Sequence, residues 1–335
     1  MKKKISANTD KWIRRVVFVI ALLVFFYSGS KIVIYLVEQR QASNQYGDLR
    51  TVIAGDGLLS EEELKKRYGI SDDASEEHVP AKAYEEGYVR DTKPGNSGFY
   101  IDVEELLPVY EIKEEEVDRV EGLRQLNAVN QDCVFWLNIP DTVIDYPVMY
   151  HPSIRDYYLR RGFDRQYLNA GSLYLAEVCD PFTSDNLVIH GHNMNIGTMF
   201  HDLLKYKEKT FWEKQPYIYL TTLEGVETYK VFATSLVYVD VKNEFDYYNF
   251  AKAKDENDYD SFVAKILSRS FYDTGERPVY GTKLLTLSTC EYTLTSTNRR
   301  IVVCAYQVAE EEHEEGEETS EVDASGSGSG EKTSE

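Results

Sequence analysis

A run of 22 residues, Val16–Val37, contains a single charged side chain and constrains the fold of this chain more than any other feature. An apolar segment of about 20 residues is long enough to cross a bilayer as an α-helix. The one cation, Lys31, lies in the second half of the run, where its long side chain can reach the interface. The sequence therefore predicts a transmembrane helix over residues 16–37.

The residues before this run predict its orientation. Residues 1–15 carry six Lys and Arg side chains against one acid, Asp10. Positively charged flanks stay in the cytoplasm, so we expect a cytoplasmic basic tail over 1–15 and the rest of the chain outside the cell, as in a single-pass protein of a cell membrane. A cleaved signal peptide is the alternative. It is less favoured because no small-residue cleavage site closes the run before Val37.

The net charge of −20 is concentrated in two segments that flank the central part of the chain. Residues 51–121 carry −12 and residues 309–335 carry −10, which leaves +2 for the remainder. This acidity argues against nucleic acid as a partner. We expect an acidic linker or helical extension over 38–121, with a capped helix that starts near Ser60. Residues 310–335 lack apolar periodicity, which predicts a disordered acidic tail.

Between residues 122 and 309 the sequence changes to short runs rich in β-branched and aromatic residues, separated by Gly, Asp, Asn and Pro. One amphipathic helix, Asp258–Ser270, interrupts them, and regular βαβ alternation is absent. The pattern predicts a mostly β domain, a closed or partly closed β-barrel with helical insertions. The predicted strands are Val143–Met149, Ser172–Leu175, Leu187–His190, Tyr217–Thr222, Thr228–Val239, Leu284–Leu287 and Arg300–Val308.

Three side chains at strand ends form the candidate chemistry. Cys290 ends one strand, His192 follows another and Arg300 begins the last. A cysteine thiolate is a nucleophile, and a nearby histidine can give or take protons. An arginine can stabilise charge that develops on a carbonyl oxygen. Together these side chains would suit acyl transfer through a thioester.

The other cysteines carry no such pattern. Without a CxxC pair a cysteine zinc site is not expected, and we predict neither a metal nor another cofactor. Cys133, Cys179 and Cys304 are interpreted as unpaired packing residues. Because the domain is expected outside the cell, a Cys133–Cys179 disulfide stays open.

Several motifs resemble those of sortases, the cysteine transpeptidases of Gram-positive cell surfaces. Thr286–Cys290 reads TLSTC and matches the TLxTC motif, and Arg300 stands ten residues later, where the family has its catalytic arginine. Leu187–Phe200, LVIHGHNMNIGTMF, resembles the strand and GHN loop that carry the catalytic histidine. WLNI at 136–139 and IDYPV at 144–148 resemble the entry to the barrel. The resemblance covers about residues 122–308.

Details of these motifs are similar to class B sortases. They are Glu291 directly after the cysteine, the GHNM form of the histidine loop, and the helix at 258–270. The resemblance implies a sortase-type closed barrel of seven or eight strands over 122–309. It also implies N-terminal helices and a helix between the sixth and seventh strands, preceded here by the transmembrane helix.

The resemblance also chooses between neighbouring candidates for the catalytic residues. It selects His192 over His190, which periodicity alone does not separate, because the family histidine stands between Gly and Asn. It selects Arg300 over Arg299, and adjacent strand residues face opposite sides, so only one of the two can enter a cleft. The implied catalytic residues are therefore Cys290, His192 and Arg300.

Three further residues match positions near the substrate groove of class B: Ser288, Glu291 and Leu159. The family often has Asn where Arg155 stands here, so the sorting motif is left open between NPxTx and LPxTG-like signals. The resemblance implies cleavage after Thr in the C-terminal sorting signal of a secreted protein. A peptidoglycan precursor amine of the lipid II type would then resolve the thioester.

Other functions use parts of the same pattern. A pilin-polymerising sortase would take a lysine amine as acceptor. A membrane-anchored cysteine hydrolase would take water. A non-catalytic surface adhesin or scaffold would use the barrel alone.

Overall fold

The computed structural model describes residues 7–55, 61–68, 114–239, 245–291 and 298–308. The predicted disordered tail at 310–335 and most of the predicted linker at 38–121 lie outside these ranges, as do the first residues of the predicted basic tail. The chain divides into two compact units, residues 1–47 and 48–335.

The first unit consists of the long N-terminal helix α1, Ala7–Ile53, up to residue 47. Large apolar side chains are exposed along the predicted span, including Phe18, Phe25 and Phe26. In the described part of the chain, this is the one helix long and apolar enough to cross a membrane. The exposed apolar surface is what a helix needs when lipid replaces a protein core.

The second unit contains a closed, mixed β-barrel of eight strands in the order β1-β2-β3-β4-β7-β8-β6-β5. Two neighbouring pairs, β2–β3 and β4–β7, are parallel and the other pairs are antiparallel. The predicted fold class is confirmed. The strands are β1 Cys133–Asn138, β2 Asp145–Met149, β3 Leu173–Leu175, β4 Asn186–His190, β5 Tyr217–Thr221, β6 Val226–Tyr238, β7 Leu284–Cys290 and β8 Arg299–Gln307.

All seven predicted strands are present, and the structure adds β1 as an eighth. Five of the six residues of Cys133–Asn138 are buried, so the strand lacks the polar alternation that marks a half-exposed strand. The motif WLNI at 136–139 belongs to this strand and the turn after it. The resemblance covers this segment, which the prediction from β-rich runs leaves out.

Three helical segments at the start of the second unit pack together, and the last of them packs against the barrel. They are the end of α1, α2 (Glu61–Tyr68) and α3 (Glu114–Val129). Gly122 of α3 lies so close to α1 that an added Cβ would stand 2.6 Å from the Val52 carbonyl oxygen. Arg50 Nε donates to the carbonyl of Asp145, the first residue of β2, at 2.8 Å. The predicted N-terminal helices are therefore part of the second unit.

Two more helices stand within the barrel sequence, α4 (Lys209–Lys214) and α5 (Glu256–Leu267). Helix α5 lies between β6 and β7, where the helix Asp258–Ser270 was predicted. It begins earlier because the Asp255 side chain caps it, accepting a hydrogen bond from the Asp258 amide at 2.9 Å. Phe262 and Ile266 of the predicted stripe are buried in one cluster with residues of β6, β7 and β8. This packing holds β7, which ends at Cys290, and β8, which begins at Arg299.

Candidate active site

A pocket of about 270 Å³ opens where β4, β7 and β8 meet. Its lining includes Cys290, His192 and Arg300, the three residues chosen from the sequence. The strand pairings explain why they meet. Parallel pairing of β4 with β7 sets His190 opposite Ser288, and antiparallel pairing of β7 with β8 sets Cys290 opposite Arg300.

Cys290 and Arg300 are direct partners on neighbouring strands. Residues opposite each other in an antiparallel pair have Cβ atoms about 4.5–5.5 Å apart and point to the same face. The register therefore directs both side chains to one side of the sheet, and both line the pocket. Arg299, the residue before Arg300, turns the other way, and its Nη2 lies 2.5 Å from Glu291 Oε2. Arg300 therefore faces the pocket and Arg299 faces away from it, as expected for adjacent residues of a strand.

The four cysteines differ in their surroundings. All four are free, so Cys133 and Cys179 do not form the disulfide that the sequence left open. Cys290 is partly exposed, whereas Cys133, Cys179 and Cys304 are buried. Burial raises the pKa of Cys179 and that of Cys304 to about 12, and it raises the pKa of Cys133 as well. These three thiols are poor sources of thiolate and behave as packing residues.

His192 lies just after β4 and is held by the main chain of another segment. Its Nε2 lies 2.9 Å from the carbonyl oxygen of Leu159. A carbonyl only accepts, so Nε2 carries the proton in this arrangement and Nδ1 is the basic nitrogen of the neutral ring. Burial lowers the pKa of His192 below 6.5, and nearby Arg160 and Arg300 lower it further against the opposing effect of the Leu159 hydrogen bond.

His190, the competing histidine, also lines the pocket. Its ring lies 5.5 Å from the ring of Tyr174, centroid to centroid. Burial lowers the pKa of His190 to about 4, with Arg300 and Arg155 acting in the same direction and Asp156 opposing. His190 is thus a neutral side chain across the physiological range.

Of the three predicted substrate-binding residues, two line the pocket and one does not. Leu159 and Ser288 line the pocket, and Ser288 Oγ is 2.6 Å from the hydroxyl of buried Tyr247. Glu291 is buried outside the pocket lining, with Lys207 Nζ 2.6 Å from one carboxylate oxygen and Arg299 at the other. Its place in the sequence, next to Cys290, does not bring its side chain into the cleft.

Asn193 was not singled out from the sequence, although it belongs to the GHN motif. Its Nδ2 donates to the Cys290 carbonyl at 3.0 Å, and His201 Nδ1 lies 2.8 Å from its Oδ1. Thr289 Oγ1 donates to the Gly191 carbonyl at 2.9 Å. These contacts fasten the histidine loop to the strand that ends in the cysteine.

Charged side chains form one edge of the pocket. Arg155 Nε lies 3.4 Å from Glu177 and 3.6 Å from Asp156, and all three line the pocket. Among the described residues, no group of three or more His, Cys, Asp or Glu side chains could hold a metal ion. The chemistry that this site offers is that of a thiol, an imidazole and a guanidinium.

Comparison with known proteins gives consistent matches. The sortase domain family model matches residues 137–308. Sortase B of Listeria monocytogenes is 32% identical over 186 residues, covering 54% of this chain and 72% of that protein. Sortase B of Staphylococcus aureus is 27% identical over the same length and coverage.

Solved structures agree with the sequence matches. The Staphylococcus aureus sortase B–substrate complex matches with a TM-score of 0.51 at 25% identity, covering 57% of this chain and 86% of that one. A mutant form of Clostridium perfringens sortase B matches with a TM-score of 0.52 at 26% identity, covering 58% and 90%. The family model spans half of the chain, and barrel, helix insertion and motifs agree with it, so the chain belongs to the sortase family of cysteine transpeptidases, in its class B.

Proposed function

We propose that this sortase is a membrane-anchored enzyme that cleaves a C-terminal sorting signal after Thr and joins the protein to a peptidoglycan precursor. Cys290 is the nucleophile, His192 transfers protons and Arg300 stabilises the developing oxyanion. The observation that carries the proposal is the single pocket lined by all three side chains, with Cys290 and Arg300 in direct register.

In the first half-reaction the thiol is activated and the peptide bond breaks. Neutral His192 accepts the Cys290 proton, and the lowered pKa of His192 favours this neutral form near pH 7. The thiolate attacks the Thr carbonyl carbon. The oxyanion is stabilised by the Arg300 guanidinium, and the C–N bond then breaks. His192 returns its proton to the departing amine, which leaves a thioester on Cys290.

In the second half-reaction an amine replaces the cysteine. The incoming amine gives a proton to His192 as it attacks the thioester carbonyl, and the C–S bond breaks. The new amide leaves, and the proton returns from His192 to the thiolate of Cys290. We propose the amine of a lipid II-type precursor as acceptor.

The apolar helix α1 supports a place in the cell membrane. With the basic N-terminus in the cytoplasm, residues 38–335 lie outside the cell. Both substrates are then tethered to the same membrane surface, which raises their effective concentration at the enzyme. Protease added to intact protoplasts should remove the domain, and complete protection would mean the opposite orientation.

The test of the reaction uses the full chain in detergent with NPxTx and LPxTG-like peptides, with and without hydroxylamine. We expect cleavage after Thr and a Thr hydroxamate when the amine is present. Cys290→Ala should abolish product and labelling by a thiol-reactive peptide, whereas Cys304→Ala should retain both. Product formed by hydrolysis alone, unchanged by the amine, would support the cysteine hydrolase. Labelling that survives in Cys290→Ala would overturn the assignment of the nucleophile.

A further inference from the structure

The catalytic assignment leaves open what orients His192. Serine and cysteine nucleophile sites commonly use a third side chain for this purpose, most often a carboxylate. Within the described ranges of the chain, the hydrogen-bond partner of the His192 ring is a main-chain group, the Leu159 carbonyl oxygen at 2.9 Å, and no carboxylate occupies that position.

We propose that the Leu159 carbonyl is the orienting group of His192, and that Tyr158 and Gly171 are positioning residues that hold this carbonyl in place. The proposal rests on the role of His192 in the proposed function. The carbonyl does for the imidazole what a carboxylate does elsewhere: it accepts from Nε2–H, fixes the ring and leaves Nδ1 as the base.

Leu159 belongs to a short 3₁₀ helix, Tyr157–Arg160, that follows Asp156 in the left-handed region at φ 53°. The last turn of a helix leaves carbonyls without internal partners, so they are open to other donors. Here the Leu159 carbonyl accepts a hydrogen bond from the imidazole. The Tyr158 carbonyl accepts from the Arg161 amide at 3.4 Å and from the Ser172 amide at 3.1 Å. The helix is thus bonded on one side to the histidine loop and on the other to the segment before β3.

Gly171 sets how closely that segment approaches the helix. It has φ +58°, and a Cβ added there would lie 2.2 Å from the Leu159 carbonyl oxygen and 2.8 Å from its carbon. Any larger residue would have to displace the same carbonyl that His192 uses, besides bearing the strain of the left-handed conformation. Gly171 therefore acts on the site through Leu159 and touches neither substrate nor the reacting atoms.

Tyr158 anchors the helix through its side chain. Its side chain is fully buried, and its hydroxyl donates to Asp132 Oδ2 at 2.5 Å. Arg165 Nε reaches the same carboxylate oxygen at 3.3 Å, and Arg165 Nη2 donates to Asn130 Oδ1 at 2.9 Å. Buried polar networks of this kind hold one geometry when their members are satisfied. The α3–β1 connection is thereby linked to the backbone next to His192.

The charges around His192 come from several elements. Arg160 of the 3₁₀ helix and Arg300 of β8 both lower the pKa of His192, whereas the Leu159 hydrogen bond raises it. Cys290 of β7, His190 of β4 and the charged edge of Arg155, Asp156 and Glu177 line the same pocket. Loss of the carbonyl contact would leave the lowering effects unopposed, because the imidazolium loses an acceptor. The pKa of His192 must then fall further.

The experiment compares two variants with two matched controls in the full chain. Gly171→Ala displaces the carbonyl, and Gly275→Ala imposes the same left-handed strain where no atom lies within 4 Å of the added Cβ. Tyr158→Phe removes the buried hydroxyl, and Tyr157→Phe removes that of its half-buried neighbour. We expect kcat of Gly171→Ala to fall by about 10²-fold with KM nearly unchanged, as for a misplaced catalytic group. Tyr158→Phe should lose less, and both controls should match wild type.

The second readout is the pKa of His192, followed by NMR of histidine-labelled protein in a Cys290→Ala background, which needs no activity. We expect a lower pKa in Gly171→Ala and Tyr158→Phe and no change in the controls. A fall in kcat with an unmoved His192 pKa would overturn the proposal, as would an unmoved kcat in both variants. Full activity of His192→Ala would instead refute the proposed function, and the NMR comparison would still report on the Leu159 contact.

Discussion

The two sides of the pocket are built in different ways. On the ladder side, Cys290 and Arg300 are paired residues of β7 and β8 within a run of seven registered pairs. On the loop side, His192 lies beyond the end of β4 and is fixed by Leu159 from a segment 33 residues earlier. Cys290 and Arg300 take their geometry from the sheet, whereas His192 takes its geometry from loop hydrogen bonds.

This difference predicts where the site tolerates change. A strand ladder holds a side chain through many backbone hydrogen bonds, so no single neighbour decides its position. A loop held by a few contacts shifts when one of them is lost. Substitutions on the ladder side should therefore act through the chemistry of the substituted group, and substitutions on the loop side through geometry.

Apart from the loss of the thiol in Cys290→Ala, the largest effect on the ladder side is expected for Arg300→Lys. Lysine keeps the charge but lacks the planar fork of donors, so it cannot reproduce directed hydrogen bonds to a carbonyl oxygen. We expect kcat/KM on a sorting-signal peptide to fall by about 10²-fold or more, as when an oxyanion donor is removed. Arg299→Lys is the control and should stay near wild type. A larger loss of kcat/KM in Arg299→Lys than in Arg300→Lys would assign the oxyanion role to Arg299 instead of Arg300.

A smaller effect is expected for Glu291→Gln. The carboxylate is buried between Lys207 and Arg299, so the change leaves two cations without their counter-ion. Exposed pairs contribute under about 1 kcal/mol and fully buried ones about 3–5, so we expect a loss of about 2 kcal/mol in the free energy of unfolding. The control, Glu121→Gln, breaks an exposed pair with Arg124 and should cost about 0.5 kcal/mol or less.

The kinetics of Glu291→Gln test whether this side chain binds the peptide substrate. Because the side chain lies outside the pocket lining, KM for the peptide should change by less than about threefold, under 1 kcal/mol. A large rise in KM with unchanged stability would restore Glu291 as a substrate-binding residue. The measurement is peptide kinetics beside denaturant unfolding of the same preparation.

The effect expected to be smallest near neutral pH concerns the titration of His190. Because burial lowers the pKa of His190 to about 4, the folded protein binds fewer protons than the unfolded chain between about pH 6.5 and 4. The stabilisation from neutral His190 is complete above about pH 6.5 and is lost as the pH falls through this window, by up to about 1.4 kcal/mol per unit.

His190→Gln removes this titration. Its free energy of unfolding should fall less steeply than that of wild type as the pH drops from 6.5 to 4, while the two slopes agree at pH 7–8. Chemical denaturation over this range measures both. Parallel curves throughout would mean that residue 190 titrates normally in the folded protein.

Much of the architecture was predictable because local patterns express it. The apolar run, the β-rich runs between turn residues and the helical stripe of Phe262 and Ile266 are all local patterns of side-chain type, and side-chain polarity decides which residues are buried. The opposition of Arg299 and Arg300 followed from the period of a strand alone. The choice of Cys290, His192 and Arg300 came from motifs, and the fold brings those three side chains to one pocket.

The sequence by itself determined the apolar segment and the β-rich domain, and it named Cys290, His192 and Arg300 as the candidate side chains. Tertiary structure alone decided that Glu291 faces Lys207, 84 residues away, and that His192 meets the Leu159 carbonyl. The physical reason is that both contacts depend on closure of the barrel, which sets the distance between segments far apart in the chain. Moreover, every residue has the same main-chain carbonyl, so the sequence cannot indicate which carbonyl binds the histidine.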